Sequence, residues 1–136
     1  MKWRRLHPGE LDHELLWLIV SVGTALVALL WLRFGMPMPP CVWHELTGVP
    51  CIGCGSTRCV RLLVQGAWGA AFAMNPLTFT ALAGVVIYDL YAAAVLLLRL
   101  PRLRPGKWPA WLGWTTRIAI AIALVANWAW LIARGV

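Results

Sequence analysis

Long apolar runs dominate the pattern of the chain, and they lie at 15–32, 76–98 and 111–133. The first run, LLWLIVSVGTALVALLWL, contains no charged side chain. As an α-helix it would measure about 27 Å, which is close to the thickness of the hydrocarbon core of a bilayer. The second run starts after Asn75, a natural N-cap, with Pro76 at the first helical position. The pattern predicts three transmembrane helices.

The first run also has the general form of a cleavable signal sequence. A signal sequence has a shorter apolar core and a cleavage site of small residues, whereas RFGMPMPP follows this run. The comparison favours an uncleaved membrane anchor.

The segment 33–75 between the first two runs is too long for a simple turn. From Ser56 its apolar residues recur with the period of a helix, and Gly66 is a plausible end for that helix. The next stretch, AWGAAFAM, is apolar but too short to span a bilayer. We expect two short interfacial or re-entrant helices here.

The composition agrees with a membrane protein. The 136-residue chain is 61% hydrophobic and 12% charged, with a mean hydropathy of +0.74, whereas soluble domains carry about a quarter charged residues. We therefore expect one all-α integral membrane domain over 1–136. The net charge of +7 does not indicate nucleic-acid binding, because the basic residues cluster at the ends of apolar runs. Membrane lipids explain that placement.

The distribution of lysine and arginine predicts the orientation. With the N-terminus in the cytoplasm, seven basic residues lie inside: Lys2, Arg4, Arg5, Arg99, Arg102, Arg104 and Lys107. Four then lie outside: Arg33, Arg58, Arg61 and Arg134. The positive-inside rule favours a cytoplasmic N-terminus, an extracytoplasmic C-terminus and segment 33–75 outside.

All four cysteines lie within CVWHELTGVPCIGCGSTRCVRLL, residues 41–63. This stretch and the residues up to Pro76 resemble an uncharacterised bacterial membrane-protein family, domain of unknown function 2752. The family pattern is roughly Cys-Pro, Thr-Gly, Cys-Pro-x-Cys-Gly-x-Thr-Arg, a helix ending in Gly, and Asn-Pro. The matching positions are Cys41, Thr47, Gly48, Cys51, Cys54, Gly55, Thr57, Arg58, Gly66, Asn75 and Pro76.

Three positions depart from the family pattern. Val42 and Ile52 replace prolines, which loosens the turn, and Cys59 replaces a small residue. Cys59 is therefore a weak candidate for any shared chemistry. Because the family has no assigned activity, the resemblance implies an architecture and a set of structural positions, without a function.

The first two interpretations of this segment are structural. Cys41-x2-His44 and Cys51-x2-Cys54 form two ligand pairs of the kind that bind zinc. An even number of cysteines outside the cytoplasm also suits disulfide bonds, such as one from Cys41 to Cys51 or Cys54. A location outside the cytoplasm favours the disulfide, and neither interpretation is excluded.

Two other interpretations remain open. Cys51 and Cys54 before a helix resemble the C-x-x-C pair of a membrane thiol oxidoreductase, in which a helix N-terminus stabilises the thiolate. Such enzymes also need a quinone pocket and a fourth helix. Alternatively, the cysteines are small apolar residues of a buried turn.

Charged residues add further candidates. Thr57, Arg58 and Arg61 follow the cysteines at a helix start, where they could bind an anion such as a lipid phosphate, or only attach the helix to headgroups. Asp89 and Arg117 lie inside the second and third runs, and we expect them to form an ion pair because an isolated charge in the bilayer is costly.

The leading hypothesis from the sequence is a non-catalytic membrane module. In it a zinc ion or a disulfide stabilises the turn from Cys41 to Cys54, the cysteine turn, which positions a surface that binds lipid, another membrane protein or a second copy. The alternatives are a thiol oxidoreductase that uses Cys51 and Cys54, and a small oligomeric transporter that uses Asp89.

Overall fold

The computed structural model describes residues 2–4, 11–37, 40–104 and 109–135. Arg5 and Lys107, which entered the predicted orientation, lie outside the described residues. In chain order the elements are β1 (Lys2–Arg4), α1 (His13–Arg33), α2 (Val42–Thr47), α3 (Ser56–Val64), α4 (Trp68–Met74), α5 (Pro76–Leu97), β2 (Arg102–Arg104) and α6 (Ala110–Arg134).

Three of the helices, α1, α5 and α6, are long and apolar enough to cross a membrane. Their 21, 22 and 25 residues correspond to roughly 31, 33 and 37 Å of helix, against about 30 Å of hydrocarbon core. Large apolar side chains on them are exposed, including Val27, Ile87 and Ile122. Over the residues that the structure describes, the chain is therefore an all-α integral membrane protein with three transmembrane helices, as the apolar runs predicted.

Local signals in the sequence determine where the spans begin. In α1 the Asp12 carboxylate accepts the Leu15 N–H at 3.0 Å, which satisfies one of the free donors at the helix start. In α5 the Asn75 side-chain oxygen accepts the Thr78 N–H at 2.9 Å, so the predicted N-cap is confirmed.

Between the first and second spans, the described part of the chain forms three short helices. Helices α3 and α4 are the two that the sequence predicted, and they meet at Gly66, whose φ of +77° favours glycine. The Ala67 N–H donates to the Leu62 carbonyl at 2.9 Å, which closes the end of α3. Helix α2 was not predicted, because six residues are too few to show a helical period.

The chain divides into two compact units, the first being Met1–Met36 with Gly84–Ala110. This unit contains α1 and the greater part of α5, with Ala92 and Val95 buried. It also contains a small antiparallel ribbon in which Trp3 of β1 pairs with Leu103 of β2. The ribbon was not predicted, because it pairs residues that lie far apart in the sequence.

The second unit is Pro37–Ala83 with Trp111–Val136. Its fully or almost fully buried side chains include two asparagines, Asn75 and Asn127, together with Cys59, Ala71 and Leu131. Buried amides need hydrogen-bond partners. Both asparagines bond to the cysteine turn, so the core of this unit positions the candidate site.

Candidate metal centre

The sulfur atoms of Cys41, Cys51 and Cys54 converge on one point of the second unit. The Cys51 sulfur lies 3.3 Å from that of Cys41 and 3.2 Å from that of Cys54, and the three atoms all lie within 4.8 Å of one another. These separations are longer than the roughly 2.05 Å of a disulfide bond. The structure therefore contains a group of three free thiols.

A tight turn places Cys51 and Cys54 side by side. The Cys54 N–H donates to the Cys51 carbonyl at 3.0 Å, and the Cys51 N–H donates to the Cys54 sulfur at 3.0 Å. Gly55 follows with a φ of +80°, a conformation that residues with a Cβ rarely adopt. The Gly55 carbonyl then accepts the Cys59 N–H at 2.8 Å and starts α3.

Cys41 reaches the group from the start of α2. Backbone N–H groups of His44 and Trp43, with the Cys51 thiol, lower the pKa of Cys41. At the other end of α2, the Thr47 hydroxyl donates to the Trp43 carbonyl at 2.7 Å and accepts the Val49 N–H at 3.2 Å. Thr47 and Gly48, whose φ is +68°, thus turn the chain back towards Cys51.

The pKa of Cys54 is shifted in the opposite direction to that of Cys41. Burial, then hydrogen bonding to the Cys51 sulfur, raises the pKa of Cys54 to about 11, so this thiol is protonated at neutral pH. A bound cation would reverse this effect, because it stabilises the thiolate form and compensates for the loss of solvent.

Asn75 connects the cysteine turn to the second span. Its side-chain nitrogen donates to the Cys54 carbonyl at 3.0 Å, while its side-chain oxygen caps α5 through Thr78. The side chain is completely buried. The sequence predicted Asn75 as a cap but did not reveal its bond to Cys54.

The third span also holds the turn, through Asn127 and Trp128. The Trp128 indole N–H donates to the Pro50 carbonyl at 2.8 Å, and the Asn127 side-chain nitrogen donates to the Ile52 carbonyl at 3.4 Å. The Asn127 side-chain oxygen accepts the Leu77 N–H at 3.0 Å. Sequence reasoning missed both residues. An asparagine inside an apolar run was the available signal, because a buried amide in a membrane requires a partner.

Cys59 lies apart from the other three cysteines. It is completely buried, and burial raises its pKa. Its thiol donates to the Asn75 carbonyl at 3.9 Å, a contact within the packing beneath the turn. Cys59 is not one of the three cysteines whose sulfurs converge.

The three sulfurs line an open cleft with a volume of about 560 Å³. The lining also includes His44 and Glu45 of α2 and Thr57, Arg58 and Arg61 of α3. The structure therefore brings the predicted metal ligands and the predicted anion-binding residues to one cleft. His44 is outside the group of three sulfurs, and its role as a ligand stays a prediction.

The comparison with sequence families selects this same segment. Residues 41–88 match the family described as "Protein of unknown function (DUF2752)". The match runs from Cys41 into α5, so the resemblance seen in the cysteine segment is confirmed. No curated protein and no solved structure matches the chain.

Asp89 and Arg117 lie outside the DUF2752 match. The Asp89 carboxylate accepts a hydrogen bond of 2.7 Å from the Ser21 hydroxyl, within the first unit. The Arg117 guanidinium lies 5.8 Å from the centre of the Trp114 ring, within the second unit. The ion pair between Asp89 and Arg117 stays a prediction.

Proposed function

We propose that Cys41, Cys51 and Cys54 bind one zinc ion, and that the chain is a non-catalytic membrane module organised by this ion. The observation that supports the proposal is the convergence of three sulfurs within 4.8 Å. Zinc would connect α2 to the turn before α3 and fix the surface that these helices present.

The three-sulfur geometry favours a metal over a single disulfide. A disulfide joins two sulfurs and leaves the third without a role, whereas zinc binds thiolates at about 2.3 Å and uses all three. Around a tetrahedral zinc the sulfurs would lie roughly 3.8 Å apart. The observed 3.2 and 3.3 Å would need to increase by only about half an ångström, a small change for thiol side chains.

The pKa of Cys54 restricts how an oxidoreductase would use the pair. A reactive C-x-x-C pair needs an attacking thiol with a lowered pKa. The pKa of Cys54 is instead raised to about 11, so Cys54 would not be the attacking thiol, and the thiol whose pKa is lowered, Cys41, lies outside the pair. The oxidoreductase that uses Cys51 and Cys54 remains the second candidate.

The surface beside the metal is the functional part of this proposal. Arg58 and Arg61 are exposed on α3 and line the same cleft as the three sulfurs. The resemblance to a bacterial membrane-protein family and the positive-inside rule together favour a bacterial inner membrane, with this face outside the cytoplasm and the N-terminus inside. There the arginines would contact anionic lipid headgroups, another membrane protein or a second copy of the chain.

Elemental analysis tests the zinc proposal on full-length protein purified in mild detergent without reductant or chelator. We expect about one zinc per chain. Cys54→Ala should abolish binding, and the matched control Cys59→Ala should retain it, because Cys59 lies outside the group. Equal zinc contents in the two variants would contradict the proposal.

Mass spectrometry after alkylation of the same sample distinguishes the alternatives. A metal-free protein with a Cys51–Cys54 bond that a mild dithiol reduces would favour the oxidoreductase. A bond involving Cys41 that resists reduction would indicate a structural disulfide. Three thiols that become reactive only after chelation would support the metal.

A further inference from the structure

We infer that the fourth coordination position of this metal site faces the cleft and binds a phosphate group held by Arg58 and Arg61. The inference rests on the proposed zinc site and adds the class of its ligand. It starts from the number of ligands: the chain brings three sulfurs together, whereas zinc takes four ligands.

The nearby side chains of α2 do not complete the site. Among the residues that the structure describes, no histidine nitrogen or carboxylate oxygen joins the group of three sulfurs. His44 and Glu45 line the same cleft without entering that group. Zinc sites with four protein ligands are closed, whereas sites with three keep a position for water or an external ligand.

The cleft gives an external ligand direct access to that position. The cleft is lined by the three sulfurs, and its volume of about 560 Å³ is large enough for a phosphate group. The same cleft is lined by Arg58 and Arg61, which are three residues apart and therefore on one face of α3. A ligand that reaches the metal therefore lies beside two guanidinium groups.

A phosphate group suits this combination of donors. One of its oxygens can bind the metal while the others accept bonds from the two guanidinium groups and from the Thr57 hydroxyl, which also lines the cleft. The Glu45 carboxylate opposes an anion in the same cleft. Removing that charge should therefore strengthen phosphate binding.

Two sources could supply the phosphate. The Asn75 side chain, at the start of the second span, contacts the Cys54 carbonyl, so the site lies near the end of a transmembrane helix. Lipid phosphates occupy that depth, and free phosphate reaches it from water. The shared chemistry is the phosphate group, and the experiment separates the two sources.

Cobalt(II) provides the test, because its absorption spectrum reports the ligands of a thiolate site. Full-length protein loaded with cobalt in detergent is titrated with inorganic phosphate, and we expect a saturable change in the spectrum. Arg58→Gln and Arg61→Gln should each weaken phosphate binding by about tenfold, since each removes a charged hydrogen bond, without loss of cobalt. Arg134→Gln is the control, because Arg134 lies over the Trp130 ring.

A second arm uses the cobalt-loaded protein in vesicles without free phosphate. A spectral change with phosphatidic acid, but not with phosphatidylcholine alone, would identify a lipid headgroup with a terminal phosphate as the ligand. A response to inorganic phosphate alone would identify the free anion. Either result supports the inference, and no response in both arms overturns it.

Two variants examine whether the chain itself supplies the fourth ligand. Neither His44→Ala nor Glu45→Gln should change the cobalt spectrum without phosphate, and Glu45→Gln should tighten phosphate binding. A spectral change in either variant would identify a ligand from α2 and overturn this inference alone. If cobalt does not bind at all, the proposed metal site fails and this inference fails with it.

Discussion

The cysteine turn and Asp89 show two different uses of polar groups in one membrane protein. In the second unit, backbone carbonyls of the turn accept bonds from Asn75 in front of α5 and from Asn127 and Trp128 on α6. In the first unit, Asp89 accepts a bond from the hydroxyl of Ser21. The first arrangement fixes the shape of a backbone, and the second satisfies one acidic side chain.

The two regions differ in whether a group that loses its hydrogen-bond partner has another partner within reach. A backbone carbonyl of the turn cannot rotate towards another donor, so the loss of its partner leaves it unsatisfied. The Ser21 hydroxyl also lies 2.8 Å from the Trp17 carbonyl and 3.2 Å from the Leu18 carbonyl of its own helix. It therefore has alternative partners, and we expect mutations at the turn to cost more than mutations at the Ser21–Asp89 contact.

The largest expected effect follows from Asn75→Ala. This change leaves the half-buried Cys54 carbonyl and the Thr78 N–H without partners, and at about 1–3 kcal/mol for each it should lower the free energy of unfolding by roughly 2–6 kcal/mol. The measurement is unfolding in detergent, followed by zinc content at limiting zinc.

Asn75→Asp separates the two roles of the asparagine. Aspartate keeps the oxygen that caps α5 but sets a second oxygen against the Cys54 carbonyl. We expect this variant to remain destabilised. A variant as stable as the wild type would show that Asn75 acts as a helix cap alone, and the contrast between the two regions would lose its main support.

The same contrast explains which features were predictable from the sequence. The three spans and the Asn75 cap depend on local patterns, namely apolar length and the residues at a helix start. The spacing of Cys41, His44, Cys51 and Cys54 indicated a metal site, and the structure brings three of these residues, the cysteines, together.

The features that were missed depend on residues far apart in the chain. Trp128 bonds to the Pro50 carbonyl across 78 positions, and no local pattern indicates such a partner. A tryptophan near the end of an apolar run indicates by itself only an interfacial position. The interactions that hold the turn follow from how α6 packs, which sequence periodicity does not determine.

The second prediction concerns the pH dependence of zinc binding at the turn. Because the pKa of Cys54 is about 11, zinc must displace its proton, and the apparent affinity should rise about tenfold per pH unit for this thiol below pH 11. Between pH 6 and 8 the gain is at least about a hundredfold, roughly 2.7 kcal/mol. Competition with a chelator at each pH measures it.

In the metal-free protein, the raised pKa of Cys54 has the opposite effect on stability: the free energy of unfolding should fall as the pH rises. This raised pKa stabilises the folded protein below the ordinary value of 9.0, and the stabilisation is lost as the pH rises through about 11.

For the zinc measurement, Asp89→Asn is the control, because Asp89 belongs to the first unit and its replacement should leave the pH dependence of zinc affinity unchanged. A zinc affinity independent of pH would contradict the assignment of Cys54 as a ligand.

The smallest expected effect is at the Ser21–Asp89 contact, measured by a double-mutant cycle with Ser21→Ala and Asp89→Leu. Hydrogen bonds between membrane helices average about 0.6 kcal/mol in such cycles, and we expect a coupling energy near that value. Thr80→Val is the matched control, because the Thr80 hydroxyl donates to carbonyls of its own helix. A coupling above about 2 kcal/mol would place Asp89 in a network as demanding as the cysteine turn, and would remove the distinction between the two regions.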